Sequence, residues 1–379
     1  MRLLYGEAPL CHACLLMPAS IRATVFAFCW MLTVAATAQT SPDGAAPRAA
    51  SEQASEPETL DAVMVTGEQP GPGLWKVTKN DHVLWIMGAQ YPLPKGITWK
   101  ASEVEQTIAQ SQVVIADASA KFEIGFFHKL TLLPAVYGAR KNADGAVLKD
   151  LLPAELYVRW QTLKQKYLGH DDGVEHLRPM VAANELYGKA LEKSGLARNG
   201  MIWDTIRSVA KKDRVRIVEP EASIPMDDPK QAIRDFKETA GSQGDVDCMA
   251  AVITRLETDL GAMRERANAW AVGDIEALKK LPSPSQQDAC RAAVSSNARM
   301  RERLEAAMKQ IDATWLAAVE TALRDNANSF AVLPMDELLR PDRRLAMLSA
   351  RGYTVEPPYG RSSFRLKRAG GPRPTLLFV

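Results

Sequence analysis

From Gly73 onward the hydrophobic positions change period along the chain. The stretch "LWKVTKNDHVLWIMG" holds two short apolar runs of strand type around the polar cluster "TKND", which predicts a β-hairpin. In "KASEVEQTIAQSQ", Val104 and Ile108 mark one apolar face of a helix. Ser102 is placed to cap it, and Glu105 stands three positions on as the capping partner. The next run, "VVIADAS", is compact, apolar and of strand type, and ends in an acid, Asp117. Strand, crossover helix and strand describe a βαβ unit with its loops at one edge of a sheet.

The middle of the chain shifts to helical spacing. "PAELYVRWQTLKQKYL" and "RPMVAANELYGKALEKSGL" carry apolar residues every three to four positions, and Gly195 is a stop for the second. "MIWDTIRSVAKKD" predicts a shorter helix that leads into "RVRIVEP", a strand ending in Glu219. Met249, Val252, Ile253, Leu256, Leu260 and Met263 form one stripe; Leu304, Met308, Ile311, Trp315, Val319 and Leu323 form another. Both stripes read as packing faces rather than as a cofactor box. Further on, a strand is expected at 329–333, then a loop through Pro341, a helix through Ala350 ended by Gly352, and a strand at Tyr353–Val355.

The flanks have a different character. From Met17 the chain runs one basic residue, Arg22, an apolar stretch to Ala35, and then Ala36-Thr37-Ala38. That is the order of a secretory signal, with residues 1–38 removed and Met17 a candidate true start. The apolar stretch is short for a membrane span, which needs roughly 20 residues, although an uncleaved anchor is the alternative. Residues 39–72, rich in Ala, Ser, Pro and Glu, are expected to be a disordered linker in which only "AVMV" resembles a strand. Residues 358–379 form a basic tail. The expected mature protein is therefore periplasmic or secreted and does not span a membrane.

Charge and cysteine use sharpen this picture. A formal net charge of +2 leaves no electrostatic footprint for a nucleic acid. With 46% hydrophobic and 24% charged residues, the chain is of ordinary globular composition. Cys11, Cys14 and Cys29 fall in the signal region, which leaves Cys248 and Cys290. In an oxidising compartment those two read as a disulfide, stabilising by about 4 kcal/mol in the chain-entropy model. Two separate buried thiols are the alternative. Because each cysteine lies near a helix start, a bridge requires "IEALKKLPSPS" to turn the chain back.

Candidate chemistry is sparse. There is no Gly-x-Ser-x-Gly, no Gly-x-x-x-x-Gly-Lys and no His-Glu-x-x-His. His82, His128, His170 and His176 are not spaced from one another as a helical ligand pair. The acids at expected strand ends, Asp117, Glu219 and Glu337, are the better candidates, because α/β folds place their sites at one edge of the sheet.

The order of the segments resembles the TraB/GumN (TraB/PrgY/GumN) family, relatives of the Tiki-type metalloproteases. The blocks that carry the resemblance are "LWKVTKNDHVLWIMGAQYPLPKGITW", "SQVVIADAS", "LRPMVAANELYGKALEKSGL", "RVRIVEPE", "ANAWAVGDIEALKKL" and "FAVLPMDELLRPDRRLAMLSARGYTV". It implies an α/β fold with an erythromycin-esterase/ChaN-like core, strand-loop motifs at both ends and a helical middle, over residues 73–357. It also implies a Gly-x-x-His in each strand-loop segment, with acids, holding a divalent metal such as Mn²⁺ or Co²⁺ that activates water. Here the first motif reads Gly88-Ala89-Gln90-Tyr91 and the second Pro334-Met335-Asp336-Glu337. Tyrosine stands in the first histidine position, and both the glycine and the histidine of the second motif are replaced. Only Glu219 matches the acid of its family block, the acid after the second strand being Asp117.

Two expectations follow. One is an inactive metalloprotease-fold scaffold, a pseudoenzyme, that binds an envelope protein or a peptide. The other is a metal-dependent hydrolase of peptidase type with a remodelled site, where Asp117, Glu219 and Glu337 gather around Mg²⁺, Mn²⁺ or Ca²⁺. Haem, with Tyr91 as axial ligand, is a third and weaker implication of the resemblance.

Overall fold

A computed structural model describes residues 71–358, apart from Asn199, Ser283 and Pro284. The expected signal segment, the "AVMV" strand, nearly all of the linker and nearly all of the basic tail lie outside the described residues.

The chain opens with the predicted hairpin, β1 (Leu74–Lys79) and β2 (His82–Ala89), followed by β3 (Leu93–Pro94), α1 (Ser102–Ala109), β4 (Val113–Ile115) and β5 (Ser119–Glu123). The helical middle comprises α2 (Phe126–Gly138), α3 (Leu148–Leu151), α4 (Ala154–Tyr167) and α5 (Pro179–Lys193), then β6 (Leu196–Ala197) and α6 (Met201–Lys212). Strands β7 (Arg216–Val218) and β8 (Glu221–Pro225) precede α7 (Pro229–Glu238), α8 (Gln243–Thr258), α9 (Leu260–Ala271), α10 (Ile275–Lys280), α11 (Ser285–Val294) and the long α12 (Ala298–Asp325). Strand β9 (Asn328–Pro334), α13 (Met335–Leu339), α14 (Arg344–Ser349) and β10 (Thr354–Glu356) complete it. The architecture is α/β: a central sheet with many helices.

The sheet order is β10-β1-β2-β9-β4-β7. Strands β2, β9, β4 and β7 run parallel, and β1 and β10 form an antiparallel edge. Asn80, at φ 56°, makes the hairpin turn, a left-handed position that asparagine tolerates. In β9, Ser329 through Leu333 are all buried, as expected of a parallel strand covered on both faces. The βαβ unit differs from expectation in one respect. Strands β2 and β4 are parallel and joined through α1, but β9 from the far end of the chain lies between them.

Local details correct the sequence reading elsewhere. Ser102 is the first residue of α1 rather than its cap; Ala101 holds the cap position without a side-chain bond, so Ser102 and Glu105 form no capping box. The expected loop before Pro341 contains α13. The first stripe is divided between α8 and α9, which meet at Asp259. The second stripe is buried from Ile311 to Leu323, but Leu304 and Met308 are only partly covered.

Cys248 and Cys290 are bonded, with Cα atoms 4.4 Å apart, so the chain turns back through α10 and lays α11 against α8. A second core of α3, α4, α5 and α8 packs Trp160, Leu186, Met249 and Ile253. Beside it lies a fully buried ion pair. Arg178 donates to both oxygens of Asp245 at 2.9 Å, to the Phe236 carbonyl and to Thr239, and it stacks on the Phe236 ring. These contacts tie α5 to α7 and α8. Removing one partner would leave a buried charge uncompensated. Arg178→Ala is therefore expected to cost about 3–5 kcal/mol in urea unfolding. Replacing Arg178 and Asp245 together by Met and Leu should cost clearly less; an equal loss would show that the charge pairing is not the cause.

Candidate functional site

The parallel strands bring their carboxyl ends together at one edge of the sheet. There a cavity of about 220 Å³ is lined by Tyr91, Asp117, Trp203, Arg207 and Glu219, with Leu333 and Pro334 at the end of β9. This is where an α/β sheet places ligands, because helix starts and loops converge beyond the strand ends.

Gly88 makes the close packing here possible. A Cβ at that position would lie 2.5 Å from Met335 Cε and 3.2 Å from Leu338, so the bare backbone lets α13 sit against β2. The Gly88 carbonyl accepts a 2.6 Å hydrogen bond from the buried Trp270 indole, which anchors α9 to the same spot.

Strands β4 and β7 are interrupted at the same level. Asp117 follows Ile115 by two residues and Glu219 follows Val218 directly; beyond them the chains pair again as β5 and β8. Asp117 therefore stands at a break in a continuing ladder rather than at a strand's final end. Its half-buried carboxylate accepts from the Ala118 amide at 2.9 Å and meets Arg344 at 3.2 Å. Its pKa is pushed from the usual 3.8 up to about 6. Burial is the largest cause, the Arg344 guanidinium opposes it, and the Glu337 and Asp312 charges add to it.

Arg344 is buried and stacks on Trp315. One of its nitrogens also lies 3.2 Å from Asp312, while Nε and Nη1 find no hydrogen-bond acceptor. Beside it Glu337 takes a forked pair of bonds from Arg343, at 3.0 and 3.2 Å. Asp336 is paired 3.2 Å from the buried Arg266, which also donates to the Leu278 carbonyl. Burial raises the Asp336 pKa against the pull of Arg266.

The candidate acids are thus not gathered around one point. Glu219 faces outward with Arg207 at 3.5 Å, both more than half exposed. Asp117 and Glu337 are neighbours through Arg344, while Glu219 shares the cavity lining with Asp117 but not with Glu337. Among the described residues no three His, Cys, Asp or Glu side chains converge as a metal site would require. The sequence expectation placed Asp117, Glu219 and Glu337 around one ion; here Arg344 stands against Asp117, Arg343 against Glu337 and Arg207 against Glu219. Tyr91 lines the cavity, and its hydroxyl is sealed from solvent without a hydrogen-bond partner. Burial first and Asp204 second push its pKa to about 12, with Arg207 opposing, so it resists the proton loss that metal ligation needs. At about 220 Å³ the cavity is also below the roughly 300 Å³ of the smaller ligand pockets.

The histidines lie elsewhere. His82 bonds the Asn326 carbonyl at 2.7 Å, and His170 and His176 are exposed. His128 belongs to α2, and its side chain is not among those described.

A model of the TraB/PrgY/gumN family matches residues 73–357. The chain belongs to that family. No curated protein and no solved structure gives a significant match. Of the residues this TraB/PrgY/gumN member's sequence singled out, Tyr91, Asp117 and Glu219 line the cavity; Arg266, Asp312 and Arg344 were not among them. The only sequence signal for Arg344 is its place in "DRRLAML", at the head of an apolar helix.

The Asp117 shift makes a signed prediction. A carboxyl whose folded pKa lies above its unfolded value contributes stability that is complete below about pH 4 and is lost as pH rises through about 6. Asp117→Asn should therefore flatten the decline in unfolding free energy between those pH values, by about 1–2 kcal/mol after allowing for solvent screening. Urea titrations across pH 4 to 7 would measure it, and an unchanged slope would count against the assignment.

Proposed function

We propose that this TraB/PrgY/gumN-family chain is a secreted or periplasmic scaffold, on an erythromycin-esterase/ChaN-like core, that binds a partner or ligand and does not catalyse metal-dependent hydrolysis. One observation carries the reading: the carboxylates at the strand edge are already held by guanidinium groups. Arg344 serves Asp117 and Asp312, Arg343 serves Glu337, and Arg266 serves Asp336. A divalent ion entering this network would meet fixed positive charge, and would have to displace buried arginines that then lose their compensation.

The donor set points the same way. The two motif positions that the family resemblance fills with imidazole hold a phenol, Tyr91, and a carboxylate, Glu337, which Arg343 engages. The Cys248–Cys290 bond supports an oxidising compartment, since such bridges persist outside the reducing cytosol. Among the described residues no helix is long and apolar enough to cross a membrane.

The competing reading, a metal-dependent hydrolase with a remodelled carboxylate site, requires Asp117 and Glu337 to leave their arginines and Glu219 to turn inward. Elemental analysis of the purified protein and peptide hydrolysis with added Mn²⁺ or Co²⁺ separate the two. The scaffold reading expects no stoichiometric transition metal and hydrolysis at background. Stoichiometric metal that is lost in Glu337→Ala would overturn it.

A further inference from the structure

The apolar stripe of α12 does not stop where the core stops. Its carboxyl half is buried from Ile311 onward, yet Leu304 and Met308 continue the stripe onto a surface that the neighbouring elements cover only in part. They form the floor of an open groove of about 620 Å³ between α12, α11 and α14, which Leu316 and Met347 extend. Residues 301 to 316 contribute at spacings of three and four, so the groove follows the helix for about 22 Å at 1.5 Å per residue.

The walls are predominantly cationic. Arg291 comes from α11, Arg301 and Lys309 from α12, Arg343 from the start of α14 and Arg351 from just beyond its end. Against these five, the lining holds two acids, Glu305 and Asp312. Asp312 is already engaged by Arg343 and Arg344, Arg343 is also held by Glu337, and Arg351 pairs with Glu320, which leaves Arg291, Arg301 and Lys309 facing Glu305. Arg291 and Lys309 form no ion pair with a described residue.

We propose that this groove docks an amphipathic helix of a partner protein, apolar on one face and acidic along its flanks. An apolar floor between charged walls is how grooves hold such helices. The distribution of charge selects this occupant. Arg291 on α11 with Arg301 and Lys309 on α12 can pair several carboxylates at once, whereas the single head group of a fatty acid would answer one of them. The chain's own segment 359–379 carries five basic residues and no acid, which is the wrong sign. The proposal does not depend on the strand-edge cavity and holds whether or not that cavity is catalytic.

Fluorescence anisotropy of the full chain with a labelled amphipathic peptide of about four turns, leucine on one face and glutamate on both flanks, tests it. The peptide should bind, and its counterpart with lysine in place of glutamate should bind at least about tenfold more weakly. Raising salt should weaken the acidic peptide. Arg291→Glu combined with Lys309→Glu should raise its Kd about tenfold or more, and Leu304→Asp should do the same from the floor, each with an unchanged thermal melt. Equal affinity for the two peptides, or indifference to both sets of substitutions, overturns the proposal. So does saturable palmitate binding that displaces the peptide, which would make the groove a lipid site.

Discussion

Arg344 lies beneath the Trp315 ring with Asp117 and Asp312 each 3.2 Å from one of its nitrogens, and the carboxyl edge of the sheet is organised around that arrangement. Carboxylates taken out of water need either a cation or a proton. The chain supplies a guanidinium, shared between two acids, and the sharing leaves Asp117 undercompensated. Its pKa is raised because burial, with the Glu337 and Asp312 charges beside it, outweighs the pull of Arg344. Arg343 and Arg266 repeat the device for Glu337 and Asp336. Three arginines thus provide fixed, non-exchangeable positive charge at the sheet edge where the family resemblance implied a metal ion. The difference matters because a guanidinium orients carboxylates without lowering the pKa of a bound water.

The sheet and the helical middle solve separate packing problems. Around the sheet, β2, β9 and β4 are covered on both sides, and Trp270 and Trp315 reach in from α9 and α12. The second core needs no strand: α4, α5 and α8 close on each other, with the Arg178–Asp245 pair and the disulfide beside them. Between these regions α12 does two things along one length. Its carboxyl half is a core helix, and its amino half presents Leu304 and Met308 to the groove.

Much of this was legible in the chain, where local periodicity decides structure. The hairpin, the Val104–Ile108 helix face, the α8 stripe and the strand at β9 all follow from spacing. The cysteine bridge followed from elimination, and the turn it required is made by α10. Non-local features were not legible. Nothing in "NSFAVLP" says that it inserts between β2 and β4, because register between distant strands is set by the whole core. Nothing in "DRRLAML" separates the buried Arg344 from the less buried Arg343 next to it. Burial of a long cationic side chain depends on what tertiary structure places over it, here Trp315. The same blindness explains the carboxylate cluster. Asp117, Glu219 and Glu337 looked equivalent as acids near strand ends, but only the structure distinguishes outward Glu219 from the pair beside the arginines.

The position of β9 constrains how the chain reaches its final form. Val83 pairs with Asn328, and Val114 with Phe330, so the middle of the sheet is filled by a segment far downstream of both of its neighbours. Without it β2 and β4 have no partner between them, while the α4–α5–α8 region has all its contacts within one stretch of chain. Closing loops of that length is slow relative to local helix packing. The contacts of the helical core do not require β9, whereas no fragment ending before Asn328 brings the two halves of the sheet edge together.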